Sequence, residues 1–299
     1  MDFLNKPFFS IIIPTLNEEK FLPRLLDNLT KQTFKNFEVI VVDANSKDKT
    51  QQVALKYKQS LHLDLIISKT THVSYQRNLG AKHAKANIFI FLDADTQIPP
   101  NYFVEIKRIL KTKKPHILTS WMDPETKSRE DKLLTAGMNI LLEIGKFLKI
   151  PSAYGAMIVV RKKVFKDLGR FNEKTNWAED TRLAQKAVKH NYKYYLAKHP
   201  RYIFSLRRFK KEGTVKALRK YAQLGLALMM EGYESPRIKY PMGGHLFDPS
   251  QPNKRSFIWM QKSLNKIKIA ANINKKKSLK LKRFLDKLKE EVEILRLPE

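Results

Sequence analysis

Residues 8–13, 37–42, 63–67 and 88–92 are short, apolar and rich in β-branched side chains. The stretches between them, residues 17–30, 46–57 and 74–86, carry apolar residues at helical spacing: Phe21, Leu22, Leu25, Leu26 and Leu29 in the first, Leu79, His83 and Ala86 on one side of the last. Strand, helix, strand, helix at this pitch restricts the chain to βαβ units. Strands that are apolar throughout, not alternating, require a parallel sheet covered on both faces. The sequence therefore predicts an α/β fold with a mostly parallel sheet flanked by helices.

Such a sheet places ligands at the carboxyl ends of its strands. The residues expected there are Thr15, Asn17 and Glu18 after the first strand, Asp43–Ser46 after the second, and Asp93 and Asp95 after the fourth. The last pair is the most pointed. The run "FIFLDADT" ends a buried strand on two carboxylates one residue apart, with no basic residue beside them. Like charges so placed repel, and hard carboxylate oxygens suit Mg²⁺ or Mn²⁺. A turn or helix cap is the plainer use of Asp95.

The second half is less regular. A helix is expected from Pro99-Pro100 to residue 111, a strand over 116–121 and a helix over 130–148. Residues 156–160 read as a strand and 162–168 as a helix stopped by Gly169. Another helix begins near Trp177 and carries Glu179 and Asp180 in its first turn; residues 192–196 and 202–204 read as two short strands. From about Arg207 lysine and arginine dominate and the segments are amphipathic, so two domains are expected, 1–206 and a basic, largely helical 207–299.

Composition narrows the classes. A hydrophobic fraction of 42% with 17 Phe and 11 Tyr belongs to a globular chain. The absence of cysteine excludes disulfides, thiolate metal sites and a cysteine nucleophile, and fits a reducing compartment. No segment approaches the ~18 apolar residues of a membrane span, and the first residues do not form a signal peptide. There is no phosphate loop, no dinucleotide fingerprint, no zinc-type histidine spacing and no nucleophile elbow. The net charge of +29 favours a polyanionic partner, against the plainer reading of a solvated lysine-rich surface.

Three elements in order, "SIIIPTLNEEKFLPRLLDNLTKQTFKNFEVIVVDANSKDKT", "RNLGAKHAKANIFIFLDADT" and "AEDTRLAQKA", resemble the family 2 glycosyltransferases of the GT-A fold. The similarity runs over roughly residues 8–210. The resemblance implies an inverting, metal-dependent hexosyltransferase that uses a nucleoside-diphosphate sugar. It implies that Pro14, Thr15, Asn17 and Glu18 cradle the nucleoside and that Asp43 contacts base or ribose. Ala44 stands where many members have a second acid, which leaves the nucleobase open. Asp93 and Asp95 match the D-x-D, with Asp95 on the metal and Asp93 facing the ribose or a metal-bound water. Arg77 matches a basic residue that reaches the nucleotide, a solvated helix arginine being the alternative. Glu179-Asp180 matches the acidic pair on the acceptor side, with Asp180 as base and Glu179 positioning the acceptor or raising that basicity. Trp177 stands beside them as a sugar-stacking or core residue, and Arg208, or Arg207, as a diphosphate contact.

Residues 137–150, 215–230 and 256–295 mix apolar and cationic residues. Packing on the domain is one use of such faces. An anionic membrane surface is the other, which suits a lipid-linked or polysaccharide acceptor and a peripheral place on the cytoplasmic face of the membrane. A polyprenyl-phosphate sugar synthase is the neighbouring reading, and a polyanion or nucleic-acid binder the reading from charge alone. The latter leaves the D-x-D unexplained, so no specific nucleic-acid partner is expected.

Overall fold

The computed structural model describes residues 6–175 and 178–212. Its strands are β1 (Phe9–Thr15), β2 (Phe37–Asp43), β3 (Leu63–Ile67), β4 (Ile88–Leu92), β5 (Ile117–Pro124), β6 (Met157–Arg161) and β7 (Tyr194–Phe204). The helices are α1 (Leu22–Thr30), α2 (Thr50–Lys56), α3 (Lys58–Leu61), α4 (Val73–His83), α5 (Tyr102–Thr112), α6 (Arg129–Phe147), α7 (Lys162–Asp167), α8 (Glu179–Lys189) and α9 (Arg207–Glu212). Among the described residues, those through Leu206 belong to one compact unit and α9 to a second.

The sheet runs β3-β2-β1-β4-β6-β5-β7. β1, β2, β3 and β4 are mutually parallel, and β6 alone runs antiparallel to its neighbours β4 and β5. β5 and β7 are parallel to each other, so every strand but β6 points its carboxyl end to the same side. Thr15 pairs with Asp43 and Asp43 with Ile67, so the first three strands finish level. Strands β1, β2 and β4 are buried along their whole length, as their unbroken apolar sequences require. Phe89, Phe91, Phe165 and Phe171 pack edge to face or tilted around one core cluster with Ile12, Val42 and Val160.

Three sequence expectations are corrected. The first helix begins at Leu22 and not at residue 17: Pro23 belongs to its opening turn, and Asn17 is left-handed at φ 54°. The expected helix over 46–57 begins only at Thr50, because residues 46–48 bind the loop after β1. The two short strands near the end are one eleven-residue strand, β7. Its pairing with β5 slips between Ser120 and Met122, where Pro200 has no N–H to give.

α4 matters most for function because it lies against β1 and β2 and delivers Gln76 and Arg77 to their carboxyl ends. Gly80 permits this approach: a Cβ there would fall 2.5 Å from Ile12 Cγ2 and 3.0 Å from Val42 Cγ2. Gly80→Ala is expected to cost about 1–3 kcal/mol by overpacking, read as a lower urea midpoint at unchanged slope.

Candidate active site at the carboxyl ends of the strands

The loops after β1 and β2 are joined by reciprocal hydrogen bonds. The Asn17 N–H donates to Ser46 Oγ (2.8 Å), and the Lys47 N–H donates to Asn17 Oδ1 (2.8 Å). Glu18 N–H donates to Thr50 Oγ1 (2.7 Å), Glu19 N–H to Asp48 Oδ2 (3.1 Å) and Lys49 N–H to Glu19 Oε2 (2.9 Å). Beneath them lies Asp43, fully buried. Its carboxylate accepts from Thr15 Oγ1 (2.9 Å), Gln51 Nε2 (2.9 Å) and both the N–H (2.8 Å) and hydroxyl (2.6 Å) of Ser46. Gln76 Nε2 closes the platform by donating to the carbonyls of Thr15 (2.9 Å) and Val42 (2.7 Å). Thr15, Asn17, Glu18 and Asp43 therefore share one hydrogen-bonded floor, and Pro14 lies beside Thr15 in β1, in register with Val42. Asp43 spends its oxygens on that floor, so the structure assigns it the shape of the loop before any nucleoside contact.

The centre of the site is Arg77, whose side chain is 2% exposed. Its Nη2 donates to Asp93 Oδ1 (2.7 Å) and to the Gly155 carbonyl (3.2 Å), and its Nη1 donates to Glu179 Oε1 (2.5 Å). The guanidinium also lies 5.5 Å from the Phe171 ring centroid. One fork thus ties α4, the D-x-D loop after β4, the turn before β6 and the first turn of α8. A Cβ on Gly155 would fall 2.5 Å from Arg77 Nη2, so glycine is required for the guanidinium to fit. Burial opposes the charge, but the carboxylates of Asp93, Glu179 and Asp180 outweigh it and hold the guanidinium more firmly protonated than usual. The resemblance gave Arg77 the nucleotide or its diphosphate as a partner, with a solvated helix arginine as the alternative. The structure gives it two carboxylates, and Asp93 of the D-x-D has a counter-charge from sixteen residues upstream.

Asp180 follows Glu179 on α8 and is half-buried. Burial first, and then the neighbouring Glu179, push its carboxyl up to about 8; Arg77 and the Thr181 N–H, which donates to Oδ1 at 2.5 Å, oppose the shift, and Asp93 adds to it. A carboxyl with this environment exchanges protons near neutral pH and not in the acid range, the condition for acid–base work on a hydroxyl.

Asp95 lies half-buried in the same loop as Asp93. That loop is fixed by Thr96, whose N–H donates to the Asp93 carbonyl (3.0 Å) and whose hydroxyl donates to the Ala156 carbonyl (3.0 Å). A backbone bridge between Gln97 and Ile203 of β7 fixes its far side. Among the described residues no group of three or more histidines and acids could hold a metal by itself. Two strand-end carboxylates nevertheless fit Mg²⁺ or Mn²⁺ in their usual manner, in which one or two carboxylates share the ion with substrate phosphates and water.

The structure thus brings Thr15, Asn17, Glu18 and Asp43 into one platform and Arg77, Asp93, Glu179 and Asp180 into one electrostatic cluster. Arg208 lies on α9, in the second unit, and Trp177 lies outside the described residues. Sequence reading missed Gln76, Thr50 and Gly155. Gln76 is adjacent to the residue it did select, and Gly155 is a lone glycine in "SAYGAM"; neither carries a local signal of its long-range partner.

The profile of the family described as "Glycosyl transferase family 2" matches residues 10–169. The chain belongs to glycosyltransferase family 2. Over 94 residues it is 39% identical to the poly(ribitol-phosphate) β-N-acetylglucosaminyltransferase TarS of Staphylococcus aureus, a match covering 30% of this chain and 16% of TarS. Over 207 residues it is 25% identical to the minor teichoic acid biosynthesis protein GgaB of Bacillus subtilis, covering 67% of this chain and 23% of GgaB. The matches therefore span less than a quarter of either relative. Among solved structures, TarS residues 1–349 in complex with UDP-GlcNAc superposes with a TM-score of 0.53 at 22% identity, over 66% of this chain and 58% of that one. The mannosyltransferase PcManGT from Pyrobaculum calidifontis, in complex with GDP-Man and Mn²⁺, superposes with a TM-score of 0.60 at 19% identity, over 78% and 67%. These neighbours share the GT-A fold.

Arg77→Met is expected to cost about 3–5 kcal/mol, because it strands the buried Glu179 and leaves Asp93 without its partner. Arg77→Lys is not expected to rescue, since an ammonium cannot fork to both carboxylates and the Gly155 carbonyl. Urea unfolding reads both. The stability also carries a pH signature. Native Asp180 keeps its proton up to about pH 8, whereas an unfolded carboxyl loses it near the ordinary 3.8. The native state holds more protons across that interval, so this group's contribution to stability falls as pH rises through it. Asp180→Asn should flatten that fall, with its advantage over wild type growing from acid pH to about pH 8.

Proposed function

We propose that the chain is an inverting, divalent-metal-dependent glycosyltransferase that moves a sugar from a nucleoside diphosphate to a lipid-linked or cell-envelope saccharide acceptor. The observation that carries the reading is the Arg77 fork. It holds the D-x-D acid Asp93 and the acidic pair Glu179-Asp180 in one rigid frame at the carboxyl ends of the strands.

In this frame the platform of Thr15, Asn17 and Glu18 receives the nucleoside. Asp95 and Asp93 would hold the metal, which would supply positive charge against the departing nucleoside diphosphate. Asp180, in its ionised form, accepts the proton of the acceptor hydroxyl as that oxygen attacks the anomeric carbon. Its raised basicity serves this step, because a base with pKa near the working pH combines availability with driving force. Glu179 contributes through its charge beside Asp180 and by anchoring Arg77. A single displacement from the side opposite the diphosphate inverts the anomeric configuration. Family membership and the similarity to TarS and GgaB support a cell-envelope acceptor. The donors named with TarS and PcManGT support a nucleotide sugar, and the ion named with PcManGT supports Mn²⁺. A peripheral position on the cytoplasmic membrane face is part of the proposal and rests on the basic composition. Among the described residues no helix is long and apolar enough to cross a membrane.

Calorimetric titration of UDP-, GDP- and dTDP-sugars with and without Mn²⁺ tests the donor site. One nucleotide should bind only with metal, and Asp95→Asn should abolish that binding. Asp180→Asn should keep donor binding and lose transfer by about 10²–10⁴-fold. Transfer that survives Asp180→Asn would point to a phosphate acceptor, which needs no base, and thus to a polyprenyl-phosphate sugar synthase. Absence of binding by every nucleotide, with the protein folded, would overturn the reading.

A further inference from the structure

A second concave site lies at the other end of the sheet. A cavity of about 380 Å³ is lined by Arg108 of α5, Lys113 just after that helix, Glu143 and Lys146 of α6, and Lys198 and His199 of β7. This volume is within the range of small-ligand pockets, about 300–1,000 Å³. Tyr195, also in the lining, pairs with Leu118 near the start of β5, so the cavity sits toward the amino ends of the strands, away from the crevice.

Four cationic side chains face this cavity against one carboxylate. That carboxylate, Glu143, is already engaged: Oε1 accepts from Trp121 Nε1 (3.2 Å) and Oε2 faces Lys146 Nζ (3.4 Å). Arg108 pairs with Glu105 (2.7 Å) on the exposed face of α5. Lys113 makes no ion pair among the described residues. The lining is therefore positive after its internal pairs are counted. Cations on β7 alone would be explained by the need to protect an edge strand from pairing with another sheet. Here α5 and α6 contribute too, and a helix has no such edge.

β7 links the two sites. From Tyr195 at the cavity it runs to Ile203, whose backbone bridges Gln97 beside the D-x-D loop, a path of roughly 26 Å at about 3.3 Å per residue. Along it, Lys198 Nζ and Arg201 Cζ lie 5.0 and 5.1 Å from the Trp121 ring centroid. We infer that this cavity is a secondary binding site for a phosphate-bearing anionic polymer, the distal part of an acceptor whose growing end reaches the crevice along β7. The inference rests on the glycosyltransferase reading for the identity of the bound polymer as acceptor, and it assigns that acceptor to the anionic polymers.

The test is binding of short-chain inorganic polyphosphate to the full chain, followed across a salt series. Lys113→Gln with Lys146→Gln should weaken binding about five- to tenfold and reduce the salt slope by roughly 0.7 for each cation removed. Lys56→Gln with Lys58→Gln removes the same charge at the opposite edge of the sheet and should change binding less than about twofold. Equal losses in the two pairs would show that net charge alone binds the polyanion and would overturn the inference. So would a pocket pair that binds polyphosphate normally but loses binding to phosphatidylglycerol vesicles, which would make the cavity a membrane contact. Polyphosphate binding that survives Asp95→Asn, alongside donor binding that survives the pocket pair, is expected. Failure of the donor site would therefore show separately from failure of this one.

Discussion

The buried fork of Arg77 is the constraint on which the site depends. A guanidinium removed from water is costly unless its charge and hydrogen bonds are satisfied within the protein. Asp93, Glu179 and the Gly155 carbonyl meet its charge and its two Nη groups from three separate parts of the chain, while Nε stays buried without a hydrogen-bond partner. The same three bonds orient the D-x-D loop against the first turn of α8. Donor-side and acceptor-side acids are thus held in register by one cation, and neither side can shift without leaving a charge unpaired in a dry place. Gly80 and Gly155 are where the backbone pays for this arrangement, the first by letting α4 close on β1, the second by leaving room for the guanidinium.

The electrostatics of the cluster follow from its geometry. Three acids, Asp93, Glu179 and Asp180, surround one buried base. Arg77 gives hydrogen bonds to two of them, and the third, Asp180, keeps a proton far above the ordinary carboxyl range. The cluster is thus short of positive charge, which is the electrostatic basis for the proposed divalent cation.

The remainder of the first unit supports this centre at a distance. The parallel order of β3, β2, β1 and β4 brings the loops after β1 and β2 side by side, where hydrogen bonds between them make a floor that needs no ligand to keep its shape. On the far side β7 is both the sheet edge and the strap that pins the D-x-D loop through Gln97. Its cations connect the crevice to the basic cavity and give part of the +29 charge a defined place.

The sequence by itself determined the βαβ alternation, the parallel burial of β1, β2 and β4, and the placement of Asp93, Asp95, Glu179 and Asp180 at element ends. Those are properties of local period and composition, and short-range sterics enforce them. It misplaced the starts of α1 and α2, because Asn17 and Ser46 choose partners about thirty residues away over joining a helix. Only the tertiary structure decided that Arg77 faces carboxylates, that Asp43 serves its own loop and that Asp180 holds a raised proton affinity. Each depends on distances between residues remote in sequence and on the exclusion of water between them. Coulombic and desolvation energies vary steeply with both, and neither is written in the spacing of residues along the chain.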